Sequence, residues 1–268
     1  MHDCGFTREN KWFRYRAAAI IIEEDCALFA GNEIDNYYYS IGGGVHVGET
    51  SEQAVKREVL EETGVEYEIY LRTQLAYYSG HNHGALGYMN ADIYNEKHND
   101  EKFKNLIQVC IEENKRTLVV KHHNEKYNGK FPIWVIVEFF SMGMLSYFYA
   151  DMLSVDQKHI AKALYETSVS CLKSWLRCIT ELRNRCAHYS RLYYWSFPAL
   201  PKIPKEMELS GNRKLFSQIL VLKLLYPDKD EWNNSFLVEL NSIVEEYEHD
   251  ISLKHIGFPQ DWCVQLVK

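Results

Sequence analysis

Between Gly43 and Val65 the chain fixes a glycine-rich loop followed by one acidic helix, and everything else must fit around that unit. The loop is Gly43-Gly44-Val45-His46-Val47-Gly48-Glu49. Thr50 can cap the helix, with Gln53 three residues on where a capping box wants it. Gly64 suits a position of positive φ just past the last turn. Glu58, Glu61 and Glu62 stand at i, i+3 and i+4, so their carboxylates share one helix face. Like charges so placed destabilise a bare helix and ask for a compensating cation. Hard oxygen donors favour Mg²⁺ or Mn²⁺.

This stretch resembles the Nudix box of the Nudix hydrolases. Gly43, Glu49, Arg57, Glu58, Val59, Glu61, Glu62, Gly64 and Val65 match the family pattern without a gap. The resemblance implies a metal-dependent hydrolase of a nucleoside diphosphate linked to another moiety. It gives the metal to Glu58, Glu61 and Glu62, with the Gly43 carbonyl completing the shell. Arg57 would orient the carboxylates, and Glu58 serves as base in some members.

The residues before the box have the order in which a Nudix domain begins. Phe13 to Gly31 reads as a hairpin, with an apolar run from Ala17 to Ile22, a turn at Glu23-Glu24-Asp25 and a return from Cys26 to Ala30. Tyr37-Tyr38-Tyr39-Ser40-Ile41 reads as a third strand. After Val65 the character changes. Tyr67, Ile69 and Leu71 alternate as in a strand, yet the same residues equally open a helix to Tyr78. From there the pattern is helical. Phe103, Leu106, Ile107, Cys110 and Ile111 form one stripe, and Leu172, Trp175, Leu176, Ile179 and Leu182 form another. Further stripes run through Leu215, Ile219, Leu222 and Tyr226, and through Phe236, Leu237, Leu240 and Ile243. The apolar run from Ile133 to Tyr149 is interrupted by Glu138 and followed by Gly143, so it reads as a buried core helix and not a membrane span.

A second constellation ends the helix that begins at Val169: Leu182-Arg183-Asn184-Arg185-Cys186-Ala187-His188-Tyr189-Ser190-Arg191. Asn184, His188 and Arg191 line one face if the helix persists. Histidine moves protons near neutral pH, and arginine offers a planar cationic fork to a phosphate. Together they suit metal-free cleavage of a phosphodiester by the RNA's own 2′-hydroxyl. They equally suit a polar helix end with cations at the C-terminal dipole.

From about Leu71 to Trp262 the chain resembles the Abi-like (abortive infection) family of bacterial phage defence. The matching pieces are Leu71-Arg72-Thr73, His83-Gly84-Ala85-Leu86-Gly87-Tyr88, and Phe131-Pro132-Ile133-Trp134-Val135 with Glu138. Leu182-Arg183-Asn184, Cys186-Ala187-His188, Arg191-Leu192, and Gly257-Phe258-Pro259 with Trp262 come next, in order. The Arg-Asn-x-x-x-His element also resembles the signature of HEPN ribonucleases. That resemblance implies a helical bundle, a homodimer bringing two motifs together, catalysis by Arg183 and His188, and orientation by Asn184; Arg191, on the face read above, is the candidate for binding the substrate phosphate. Each resemblance is truncated at the same place, near Val65 to Leu71, as in a fusion.

Composition narrows the partners. A net charge of −7 excludes a generally basic nucleic-acid coat, so RNA contact needs a local patch. Lys158, Lys162, Lys173, Arg177, Arg185 and Arg191 can form one, or can be scattered solvated cations. Seven scattered cysteines, none spaced CxxC, argue for reduced thiols in a cytoplasm. The start lacks the order of a signal peptide. His81, His83 and His122-His123 read as surface or turn histidines, since no CxxC or HExxH accompanies them.

The sequence therefore predicts an α+β chain: a short Nudix-like α/β unit over residues 1–68, then an Abi-like helical domain over 69–268. Three functions stay open. One is a Mg-dependent nucleotide hydrolase fused to a phage-defence domain. Another is a metal-independent HEPN-type ribonuclease with an inactive or sensing Nudix remnant. The last is a non-enzymatic nucleotide- or RNA-binding module.

Overall fold

Of the first 65 residues, the computed structural model describes the backbone of short strands between Gly5 and Gly44, together with Val45 and Thr50. From Glu66 it describes the chain to Lys268, apart from residues 189, 208 and 210 and the side chain of Glu66. The strands are β1 (Gly5–Arg8), β2 (Lys11–Arg14), β3 (Arg16–Ala18), β4 (Ile21–Glu23), β5 (Cys26–Leu28), β6 (Ala30–Asn32), β7 (Tyr37–Tyr39) and β8 (Gly42–Gly44). They pair antiparallel in twos: β1 with β2, β3 with β8, β4 with β5, and β6 with β7.

The α+β fold expected from the sequence is not the fold observed: the described residues are 68% helical. Among the described residues the strand pairs are not joined into one sheet, and no helix is packed on them to make an α/β unit. Among those from Glu66 onward no strand is present, and the β-type contact there is an isolated bridge between Tyr94 and Met152. The physical reason lies in the residues just past the box. A sheet would need Glu66 to Leu71 as a further strand, but Tyr67, Leu71 and Leu75, spaced by four, are all buried in a helical core. They form α1 (Glu66–His83).

The next helices are α2 (Asp100–Glu113), α3 (Leu118–Tyr127), α4 (Ile133–Ile136), α5 (Met142–Asp151), α6 (Ser154–Tyr165) and α7 (Val169–Ala187). Side-chain caps start several of them: Asn99 for α2, Thr117 for α3, Ser141 for α5 and Ser168 for α7. Their apolar faces close one core around Leu75, Val120, Ile133, Phe140, Leu145, Phe148, Leu172 and Trp175. A second core gathers α8 (Leu215–Leu225), the helical turn α9 (Lys229–Glu231), a π-turn over Trp232–Phe236, α10 (Leu237–Tyr247) and α11 (Trp262–Leu266).

Two predicted helices differ in form. The run from Ile133 to Tyr149 is not one helix: α4 tightens into a 3₁₀ turn over Val137–Phe139, Phe140 is extended, and Ser141 caps a new helix. The stripe expected on α8 is a helix buried nearly all round, Phe216 to Val221 being enclosed without a break. It is enclosed on every side because it serves both cores, and it carries the polar Ser217 and Gln218 inward with it.

Candidate functional site

The site is built on α7. Leu172, Trp175, Leu176 and Ile179 hold its inner face in the core, as their spacing predicts. Two hydrogen bonds tie the helix to the segment that follows it. The Trp175 indole N–H donates to the Lys202 carbonyl at 2.7 Å, and Glu181 Oε2 accepts the Ala199 amide at 2.9 Å. The helix is therefore rigid up to its last turns, where Arg183, Asn184 and His188 are exposed. His188 is the C-cap, its amide donating to the Asn184 carbonyl at 3.1 Å. Cations here also oppose the negative end of the helix dipole.

Arg183 does not stand alone. Its Nε lies 3.8 Å from Glu68 Oε2, and its Nη1 donates to Asn184 Oδ1 at 3.4 Å. Glu68 is buried on α1, and its other oxygen accepts from Arg72 Nη2 at 2.9 Å. Arg72 continues inward, donating from Nε to the Val137 carbonyl at 3.1 Å and from Nη2 to the Phe140 carbonyl at 3.0 Å. Those carbonyls sit where the α4 segment leaves helical geometry, so the guanidinium satisfies acceptors exposed by the break. The Leu71-Arg72-Thr73, Phe131-to-Glu138 and Leu182-Arg183-Asn184 elements, far apart in sequence, thus meet around one Arg–Glu–Arg chain.

The helix carries Arg183 and Asn184 and ends at Ala187; His188, as C-cap, keeps the i−4 hydrogen bond to Asn184, and Arg191 lies beyond the helix. Arg191 is exposed, and its carbonyl accepts from Arg185 Nη2 at 2.8 Å. Arg185 is itself packed over the Trp195 ring, 3.6 Å from its centre. It pins the connection after α7, a role that the basic-patch reading did not anticipate.

Gly43 lies in β8, opposite Ala17 of β3. Arg57, Glu58, Glu61 and Glu62 lie outside the described residues. Among the described residues no group of three or more His, Cys, Asp or Glu side chains is placed to hold a metal. His83 has a structural partner, its Nε2 lying 3.0 Å from Asp156 Oδ2, while Tyr78 donates to the other oxygen at 2.8 Å. His123 is buried and stacked on Phe131, so it is a core residue.

Two sets of residues were missed in the sequence. Glu68 carries the one available signal, the Glu-to-Arg spacing of four with Arg72. Tyr193, Tyr194 and His255 carry none, since 61 positions separate Tyr194 from His255.

A family model described as Abi-like protein matches residues 57–194, and one described as NUDIX domain matches residues 12–98. The two matches share residues 57–98, which include all of α1. No curated protein and no solved structure matches the chain.

Proposed function

The chain belongs to the Abi-like protein family, and from that premise we propose that the end of α7 is the active site of a metal-independent ribonuclease. The observation that carries this reading is the joint exposure of Arg183, Asn184 and His188 at the end of a core-anchored helix, with Arg183 held from behind by Glu68. The RNA 2′-oxygen attacks the adjacent phosphorus, forming the P–O2′ bond and breaking the P–O5′ bond. A 2′,3′-cyclic phosphate and a free 5′-hydroxyl result. One proton leaves the 2′-hydroxyl and one joins the departing 5′-oxygen. His188 makes one of these exchanges. Arg183 binds the non-bridging oxygens as their charge develops, and Asn184 orients Arg183. In a homodimer the other exchange falls to the second copy. The test is cleavage of RNA in EDTA. His188→Ala and Arg183→Ala are expected to lower it about 100-fold or more without loss of fold. Cleavage that EDTA abolishes would overturn the reading.

A second reading rests on the NUDIX match and concerns the N-terminal segment. Its donor set, three carboxylates and a backbone carbonyl, is all hard oxygen and fits Mg²⁺ or Mn²⁺. Gly43, Glu58, Glu61 and Glu62 would hold the ion, which when bound supplies Lewis acidity toward a pyrophosphate. Arg57 holds the carboxylates in place, and Glu58 takes a proton from water. The proposed division between segments, 1–68 and 69–268, falls within the first turn of α1, so the two share that helix. Mg²⁺-dependent turnover across a nucleotide panel tests this reading, and equal turnover by Glu62→Gln would reject it. Nucleotide or RNA binding with no turnover in either assay would leave a non-enzymatic sensing module. No helix among the described residues is long and apolar enough to cross a membrane.

A further inference from the structure

We propose that Tyr194, backed by His255 and Tyr193, is a stacking shelf for an unpaired RNA base beside Arg183 and His188. The inference rests on the reading of α7 as an RNA site and names where a neighbouring base would bind. Tyr194 lies six positions after His188, on the connection that Arg185 straps to the end of α7 through the Trp195 ring and the Arg191 carbonyl. Its backbone has φ +61°, a left-handed conformation that a bulky aromatic rarely adopts. In that conformation the side chain lies on the 3₁₀ turn Leu253–Ile256, its ring 4.3 Å from that of His255 at an interplanar angle of 25°. Tyr193 meets the same ring edge-on at 4.7 Å.

Hydrogen bonds hold both rings in place. The Ser252 amide donates to the Tyr193 hydroxyl at 3.0 Å. The same hydroxyl lies 2.8 Å from His255 Nδ1, and the Tyr194 hydroxyl lies 3.2 Å from His255 Nε2, so the imidazole is hydrogen-bonded between the two phenols.

Both tyrosines dock the connection onto the 252–257 turn, Tyr193 through two hydrogen bonds and Tyr194 through one and its stacked ring. Tyr194 remains 55% exposed, with one ring face on His255 and the other open. Exposed Arg191 precedes it and exposed Lys254 adjoins its backing histidine, placing cations for the flanking phosphates. A rigid aromatic face between cations, next to a phosphodiester site, is the arrangement that single-stranded nucleic acid uses. A duplex keeps its base faces stacked and would not use it.

The experiment measures binding of a fluorescein-labelled single-stranded oligouridylate to the full chain carrying His188→Ala, in EDTA, by anisotropy. Tyr194→Leu is expected to weaken binding about 5- to 100-fold, the range of one lost base stack. Tyr194→Phe keeps the ring and stays close to the parent. Tyr194→Gly relieves the backbone strain yet loses the ring, so it should weaken binding as Leu does. Equal binding by the parent, Leu and Gly proteins would overturn the shelf, as would no binding by the parent, or duplex RNA bound as tightly as single strands. Cleavage by the otherwise wild-type chain separates the two proposals. Tyr194-dependent binding without any cleavage keeps the shelf and discards the nuclease. Cleavage with undiminished kcat/KM in Tyr194→Gly discards the shelf and keeps the nuclease.

Discussion

Arg72 is the residue on which the site geometry depends most. Its guanidinium is nearly buried and answers three acceptors: the Glu68 carboxylate and the Val137 and Phe140 carbonyls. Removing it leaves a buried carboxylate with only a 3.8 Å contact to Arg183, and takes one donor from each of the Val137 and Phe140 carbonyls, of which Val137 keeps the Phe140 amide. Arg72→Ala is therefore expected to cost about 3–5 kcal/mol of stability, the usual penalty for stranding one partner of a buried ion pair. Arg72→Lys keeps the charge but not the planar fork and should recover only part of that. Urea unfolding followed by circular dichroism measures both. A loss under about 1 kcal/mol for the alanine variant would show that the Arg–Glu–Arg chain is peripheral. The carboxylate of Glu68 faces Arg183 as well, so Arg72→Ala should also disturb the helix end while touching none of its exposed residues.

Among the elements, legibility depends on what period and composition encode. The stripes of α2 and α7 were readable because each packs one face against one core. Arg183, Asn184 and His188 were readable because four residues of helix separate like faces, and Arg191 was not, because nothing local says that the helix stops at Ala187. The break at Phe140 was hidden since the donor that meets its carbonyl, Arg72, lies 68 residues away. Tyr67, Ile69 and Leu71 fit two periods at once, and only the burial of Leu75 one turn later decides for the helix. The acidic helix of the box lies outside the described residues. Gly257 was readable only as part of a motif; the structure gives it a reason. It ends the Leu253–Ile256 turn at φ +84°, and a Cβ there would lie 2.6 Å from Lys214 Cβ. Gly257→Ala should therefore destabilise the C-terminal core by about 1–3 kcal/mol through backbone strain plus this contact. Hydrogen exchange would show it as faster exchange in α8 and α11 with α2 and α3 unchanged. Uniform protection in both proteins would contradict it.

For the whole molecule the abundant tyrosines matter more than any acid. Tyr67, Tyr88, Tyr94 and Tyr149 are buried in the larger core. Burial pushes each phenol upward, that of Tyr88 to about 12, and adjacent Glu68 adds to the effect at Tyr67. Tyr88, Tyr94 and Tyr149 donate to the carbonyls of Phe131, Tyr88 and Gln157 at 2.8, 2.7 and 3.0 Å, so the core needs their protons. In the unfolded chain a tyrosine ionises near its ordinary value of about 10. Above that pH the folded state binds more protons than the unfolded one, so stability must fall as pH rises. The contribution is complete below pH ~10 and is withdrawn between ~10 and the raised values, at up to ~1.4 kcal/mol per pH unit for each buried phenol. Four such groups acting together would remove a marginal stability within about two pH units. The expected behaviour is a cooperative alkaline unfolding in which tyrosinate absorbance and loss of helical circular dichroism rise together. Tyr88→Phe should flatten the slope of stability against pH in that window, because one linked proton is gone. Independent titration of every phenol near pH 10 with the helices intact would mean that these rings are accessible to solvent and that the larger core is packed differently.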